Sequence, residues 1–246
     1  TEGDDGVPAG LPADQLRSHL QYLSDRGYQV LSMDELWHCL HEGQPIPSRS
    51  VMFTIDDGFY DHHDVAAKVF DEFGFTLNFF VITGLLDQQL WPWDDQVSYA
   101  INHARVVNTD IRLPSGLVYS VNLEAKSAKT TIKETREALK AAPQTGIYQW
   151  LQEEFFEKLD VDFPSSVPPE YRPMSWSDAR SLRERGHGVY PHTCTHRILS
   201  TLTAAEKREE IRDSLKRVEE ELGYSPEIFA YPTGRLADYD DEDVKE

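Results

Sequence analysis

Val51-Met52-Phe53-Thr54-Ile55, followed at once by Asp56-Asp57-Gly58, is the stretch on which the reading of this chain turns. An unbroken run of apolar and β-prone residues is the pattern of a buried strand, and Asp-Asp-Gly breaks it. The residues near His62 to Phe73 then predict a helix stopped by Gly74, and Thr76 to Thr83 predict a second apolar strand. A β-loop-α-β order over so short a distance predicts parallel strands with crossover helices, because parallel neighbours cannot be joined by a tight hairpin.

Working outward toward the N-terminus, Tyr28 to Leu31 reads as a short strand. Before it, Leu16, Leu20 and Leu23 share one face of a helix that Gly27 stops, and after it Ser32-Met33-Asp34-Glu35 is a capping-box pattern opening a helix that Gly43 ends. Toward the C-terminus the pattern changes. Residues 91–173 hold Trp91-Pro92-Trp93, a polar stretch, expected helices at Glu124 to Ala142 and Tyr148 to Leu159, and the Pro-rich run Phe163 to Pro173. This block reads as a helical insertion or subdomain between a first part, residues 1–90, and a second part, residues 174–246. The α/β rhythm then resumes. A helix is expected at Ser177 to Arg185, a strand at His187 to Tyr190, and a capped helix from Thr203 to Leu222 ended by Gly223. A last strand is expected at Ile228 to Tyr231.

The 246 residues are 39% apolar and 27% charged, with a net charge of −19 and acidic residues crowding the tail Asp238 to Glu246. That balance argues against a nucleic-acid partner, which needs clustered Lys and Arg. The apolar runs are too short to cross a membrane. Cys39 and Cys194 do not make a disulfide framework. The chain starts at Thr1 with no apolar leader, so the compartment is not read from this end.

In an α/β body the chemistry sits at the carboxyl ends of strands. Three such ends carry unusual residues: Asp56-Asp57, the pair His192 and His196, and Pro232 to Arg235. On a helical turn, residues four apart share a face, so His192 and His196 could grip one cation; taken alone, a surface pair fits as well. Two histidines and one carboxylate, with positions left for water, make a catalytic rather than a closed structural site, and a divalent ion there acts as a Lewis acid. Asp56 and Asp57 repel each other, which a division of labour resolves: one binds the metal and the other takes a proton from water. Cys194 would share a face with both histidines on a strand and point away on a helical turn; the second reading, with Cys194 packed, is preferred. His62 and His63 read as surface residues at a helix start. Trp91, Trp93 and Trp150 read as core before they read as a sugar platform.

These residues also match a known pattern. Thr54-Ile55-Asp56-Asp57-Gly58 resembles the T-F-D-D-G motif of the NodB-homology polysaccharide deacetylases, carbohydrate esterase family four. His192-Thr193-Cys194-Thr195-His196 resembles their H-T-x-T-H motif. Phe229 to Gly234 resembles the R-x-P-Y-G motif, with Ala230 at the Arg position. Met174-Ser175-Trp176 through Gly186-His187 resembles the lead-in to the second motif. The likeness covers roughly 11–90 and 174–236.

The resemblance implies a distorted (β/α)7 barrel of the NodB-homology type, lacking the family's first and last strands and carrying a helical insertion. It implies a metal-dependent hydrolase that removes acetyl groups from a glycan by N- or O-deacetylation. Asp57, His192 and His196 would hold one divalent ion, usually zinc, with cobalt, manganese, iron or nickel also suited to the ligand set. Asp56 would be the general base and the backbone N–H of Thr233 an oxyanion donor. A cell-envelope or secreted setting, such as the bacterial periplasm, goes with the family. Two departures stand out. No histidine follows His196 to act as the family's acid, and Ala230 replaces the Arg beside the base, for which Arg235 is the candidate substitute. The ending favours a shortened piece of a longer protein over an impaired enzyme. Two other readings compete: a hydrolase of another C–N bond, such as a cyclic amide, and a non-catalytic glycan-binding relative.

Overall fold

Helix α1 (Ala13–Asp25) leads into β1 (Gln29–Val30), α2 (Met33–Glu42), β2 (Ser50–Val51) and β3 (Thr54–Asp57). The computed structural model describes residues 10–239; Glu2, Asp4, Asp5 and the tail residues 240–246 lie outside that range. β1 and β2 form a parallel pair, Gln29 opposite Ser50 and Val30 opposite Val51. α2 carries the expected capping box, the Ser32 hydroxyl taking the Glu35 N–H at 3.0 Å.

The stretch 51–55 does not form one buried strand. It splits, so that Ser50 and Val51 pair with β1 while Thr54 to Asp57 pair with the next strand. The side chain of Asn78 bridges the step, its Nδ2 donating to Phe53 O at 2.9 Å and its Oδ1 accepting the Met33 N–H at 2.8 Å. β3 is also an edge strand, and the face carrying Thr54 and Asp56 is exposed. The run buried on both faces is β4 (Asn78–Val81), the centre of a parallel sheet ordered β3-β4-β7. The helix expected near His62 opens as a wide π-type turn, His62–Ala66, before α3 (Ala67–Asp71).

Residues 82–173 follow as α4 (Thr83–Leu86), α5 (Trp93–Asn102), the antiparallel hairpin β5 (Asn108–Arg112) and β6 (Val118–Asn122), α6 (Ala128–Lys140) and α7 (Ile147–Trp150). A second wide turn, Leu151–Phe156, extends α7. The hairpin was read only as a polar stretch, because just Ile111 and Val121 of its ten strand residues are buried. One apolar cluster unites this segment, with Trp93, Val97, Ile111, Leu139, Leu151 and Phe155 packed around Ile82 and Leu85 from the end of β4. A second cluster, including Leu20, Phe70, Phe79, Leu182, Val189 and Val218, lies between the sheet and its helices.

The chain then returns through α8 (Trp176–Glu184), β7 (Gly188–Pro191) and α9 (Ala204–Leu222). α9 starts at the expected Thr203/Glu206 capping box and stops at Gly223, whose φ is 71°. The strand expected at 228–231 is not formed. Ala230 N–H reaches Pro191 O at 3.2 Å, but Pro191 has no N–H to return, so the ladder stops after one bond. Register places Asp57 opposite Val81 and Val81 opposite Pro191. The parallel strands therefore end together, and the residues after them face one another.

Candidate metal centre

Asp57 ends β3 with a φ of 76° and Gly58 continues the turn at 96°. Asp56 and Asp57 thus lie within the paired strand rather than after it. On the far strand, the His192 N–H donates to Val81 O at 2.9 Å, extending the ladder by one residue.

Residues 192–196 are not the helical turn that the spacing suggested. Thr193 and His196 both have left-handed backbones, with φ of 65° and 56°. Each costs on the order of 1–2 kcal/mol for a residue with a Cβ, so the loop needs outside support. Glu210 of α9, only 2% exposed, supplies much of it. Its carboxylate accepts the N–H groups of Cys194 and Thr195, each at 2.8 Å, the Thr195 hydroxyl, and the Arg197 guanidinium at 2.9 and 3.1 Å. The Gly84 N–H donates to Cys194 O at 3.0 Å, so closely that a Cβ at position 84 would lie 2.5 Å from that oxygen. Only glycine fits there.

The loop turns both imidazoles toward Asp57. Asp57 Oδ1 lies 3.4 Å from His196 Nε2 and 3.9 Å from His192 Nε2, and the three ligand atoms fall within 4.8 Å of one another. Each ring is backed by an acceptor. His192 Nδ1 donates to Ala230 O at 2.8 Å, which leaves the Nε2 lone pair facing the carboxylate. His196 Nδ1 lies 3.4 Å from Asp94 Oδ1. Asp57 Oδ1 is buried with no hydrogen-bond donor. A buried carboxylate oxygen without a donor, converging with an imidazole lone pair, is a cation's place. The donor set fits one divalent ion, with O and N ligands.

The electrostatics point the same way. Burial raises the Asp57 carboxyl above its ordinary value, against the pull of the two histidines. Burial, helped by the neighbouring His196, lowers His192 to about 4. For His196 burial also opposes charge, but Asp57, Asp94 and Asp95 outweigh it and lift the ring to about 9.

The remaining expected residues are placed as follows. Asp56 lies on the β3 edge; partial shielding from water raises its carboxyl, and His196 and His62 pull it back. Thr233, three residues beyond the Ala230 carbonyl, has a φ of 60° and donates its hydroxyl to Asp238. Arg235 does not replace the missing Arg: it pairs with Asp238 at 3.0 Å and with Glu137 at 2.9 Å, and among the described residues no ion pair joins it to Asp56. Cys194 is packed, its sulfur against the Glu209 and Glu210 carbonyls of α9, and burial raises its thiol to about 12. His62 and His63 are half-buried rather than fully exposed. His62 packs edge-on against Phe59, and His63 sits 3.7 Å from Asp178. Trp91 and Trp93 are core, and Trp93 Nε1 also donates to His196 O at 2.9 Å.

Two site neighbours went unread in the sequence. Asp94 and Asp95 sit in the first turn of α5, where acids are common for their effect on the helix dipole. Arg136 faces both, 3.2 Å from Asp95 and 3.9 Å from Asp94. Burial is the main force on each acid. His196 and Arg136 overcome it at Asp94, holding it well below the usual carboxylate range, while Asp95 is pushed well above it. The second acid pair, right after Trp91-Pro92-Trp93, was the available signal. Glu210 had none, since Lys207-Arg208-Glu209-Glu210 reads as a solvated face.

A family profile described as polysaccharide deacetylase matches residues 43–246. The putative polysaccharide deacetylase YxkH of Bacillus subtilis is 29% identical over 93 residues, which is 38% of this chain and 33% of that protein. The chain thus aligns with about a third of this curated relative's length. Among solved structures, the Streptococcus pyogenes deacetylase PplD in complex with acetate superposes with a TM-score of 0.56 at 18% identity, over 95% of this chain and 66% of that one. IcaB from Ammonifex degensii gives 0.54 at 15% identity, over 97% and 76%. These likenesses show a shared α/β fold.

Proposed function

Since the chain belongs to the polysaccharide deacetylase family, we propose that it hydrolyses acetyl groups from a polysaccharide or oligosaccharide, by N- or O-deacetylation, with one divalent ion held by Asp57, His192 and His196. The observation that carries this reading is the convergence of Asp57 Oδ1 with two Nε2 atoms inside 4.8 Å, the oxygen lacking any donor. When bound, a divalent ion supplies Lewis acidity, which activates water and polarises an acetyl carbonyl.

The chain's own residues do the rest. His192 keeps its proton on Nδ1, against Ala230 O, so its Nε2 lone pair stays available. Asp56 takes the proton of the attacking water and, once protonated, returns it to the amine or alcohol that leaves as the acetyl C–N or C–O bond breaks; a carboxyl raised above its ordinary value is the better base. The Thr233 N–H offers a hydrogen bond to the oxygen on which negative charge develops, usually the largest electrostatic contribution in acyl transfer.

The test is acetate release from a panel of N- and O-acetylated oligosaccharides, with chelated protein and with added zinc or cobalt. Release that needs the ion and disappears in Asp56→Asn is expected. Absence of ion-dependent release across the panel overturns the proposal.

A further inference from the structure

We infer that Asp94, contributed by the 91–173 segment, is a positioning residue that fixes which nitrogen of His196 faces the metal centre. The inference rests on the centre proposed above and adds a residue that none of the three strand-end motifs contains.

An imidazole can offer Nε2 to an ion only when its proton sits on Nδ1, and the group facing Nδ1 decides that. For His192 that group is a backbone carbonyl. For His196 it is Asp94 Oδ1, at 3.4 Å. Both of these atoms are buried and neither makes a hydrogen bond to any other group, so each is left facing the other. An ionised carboxylate only accepts, so it calls for an N–H on the ring atom it faces.

Asp94 is itself held for this task. Arg136 Nε donates to Asp94 O at 2.9 Å, and the Ser98 hydroxyl donates to the same oxygen at 3.1 Å. The Arg136 guanidinium lies toward Oδ2 of Asp94 at 3.9 Å and bonds Asp95 at 3.2 Å. Oδ1 is therefore not needed to anchor α5 and is left for His196. One residue earlier, Trp93 Nε1 pins the His196 carbonyl at 2.9 Å, so backbone and ring of this ligand are both gripped from α5. A charged acceptor also makes the ring a stronger donor to a cation than a carbonyl does.

The experiment measures zinc and cobalt affinity of the whole chain by calorimetry. It compares the parent protein with Asp94→Asn, Asp94→Ala and the control Asp95→Asn, whose target pairs with Arg136 and not with His196. Cobalt absorption and the His196 Nδ1 proton signal of the zinc-loaded protein are read alongside. Asp94→Ala is expected to bind one ion with affinity lowered roughly 10–100-fold, with an altered cobalt spectrum and a broadened Nδ1 proton signal. Asp94→Asn keeps an acceptor oxygen but loses the charge, so a smaller loss is expected. Asp95→Asn is expected to lower thermal stability and to leave affinity within about twofold. Should Asp94→Ala fail to fold, the near-isosteric Asp94→Asn carries the test through the same spectra. Parent-like affinity and spectra in a folded Asp94 variant overturn the inference and leave the centre standing. No ion bound by the parent protein overturns the centre itself.

Discussion

The two ends of the histidine loop are held by different parts of the molecule. His192 belongs to the parallel sheet: Val81 O takes its N–H, and the Ala230 carbonyl beside β7 takes its ring. His196 belongs to the 91–173 segment and to α9. Trp93 and Asp94 hold it directly, Tyr148 donates to Thr195 O at 2.5 Å, and Gln144 accepts the Ile198 N–H at 2.7 Å. Strand ends bring ligand atoms together, then, while the segment between the two halves stiffens one of them from behind.

The largest expected effect comes from the strand-end side of that comparison. Asp57→Ala or His192→Ala removes a proposed ligand outright, and metal analysis after dialysis should find the ion lost from a folded chain. Full retention in either variant would mean that the sheet does not supply the ligands. Next is Glu210→Gln. It leaves Arg197 without its best-buried partner and the loop N–H groups on a neutral amide, so a loss of about 3 kcal/mol in denaturant unfolding is expected. Gly84→Ala sharpens the same point from the α4 side, since a Cβ 2.5 Å from Cys194 O forces the loop to shift. Roughly 1–3 kcal/mol of stability should go, with weaker ion binding.

The smallest effect tests the seam between the two regions. Glu206 accepts from Thr145 of the segment at 2.9 Å and from Arg197 of the loop at 2.8 Å. Burial opposes its charge, but the Thr203 hydroxyl and N–H, Thr145 and Arg197 bring its carboxyl down to about 2. A carboxyl depressed in the folded state stabilises the fold above its unfolded value, about 4.3, and that contribution fades as pH falls toward 2. Thermal melts from pH 5 to pH 2 should therefore steepen for the parent protein and flatten in that window for Glu206→Gln. Identical acid limbs would mean the seam is not held by this acid.

The convergence of Asp57, His192 and His196 was legible because strand-end logic depends on pattern, not on exact boundaries: the three stand out against apolar strands whichever residue begins them. The capping boxes at Ser32 and Thr203 were legible for a similar reason, both partners being three residues apart in sequence. What escaped notice depends on distant partners. The run 51–55 splits because β1 and β4 compete for it, and nothing local marks Met52-Phe53 as the step. Spacing suggested a helix at 192–196, but Glu210 rewards another shape with hydrogen bonds from fifteen residues away. Arg235 looked free to replace a missing Arg until Asp238 and Glu137 claimed it.

Glu210 has one more consequence. Hydrogen bonds to Glu210 shape the histidine loop, so an ion held by the three proposed ligands would enter a cradle that the protein itself defines. A centre preorganised in this way, unlike a zinc finger, would separate metal uptake from folding. Chelation should then empty the cradle reversibly, and whichever suitable cation the surroundings supply in excess can take its place within an unchanged native frame.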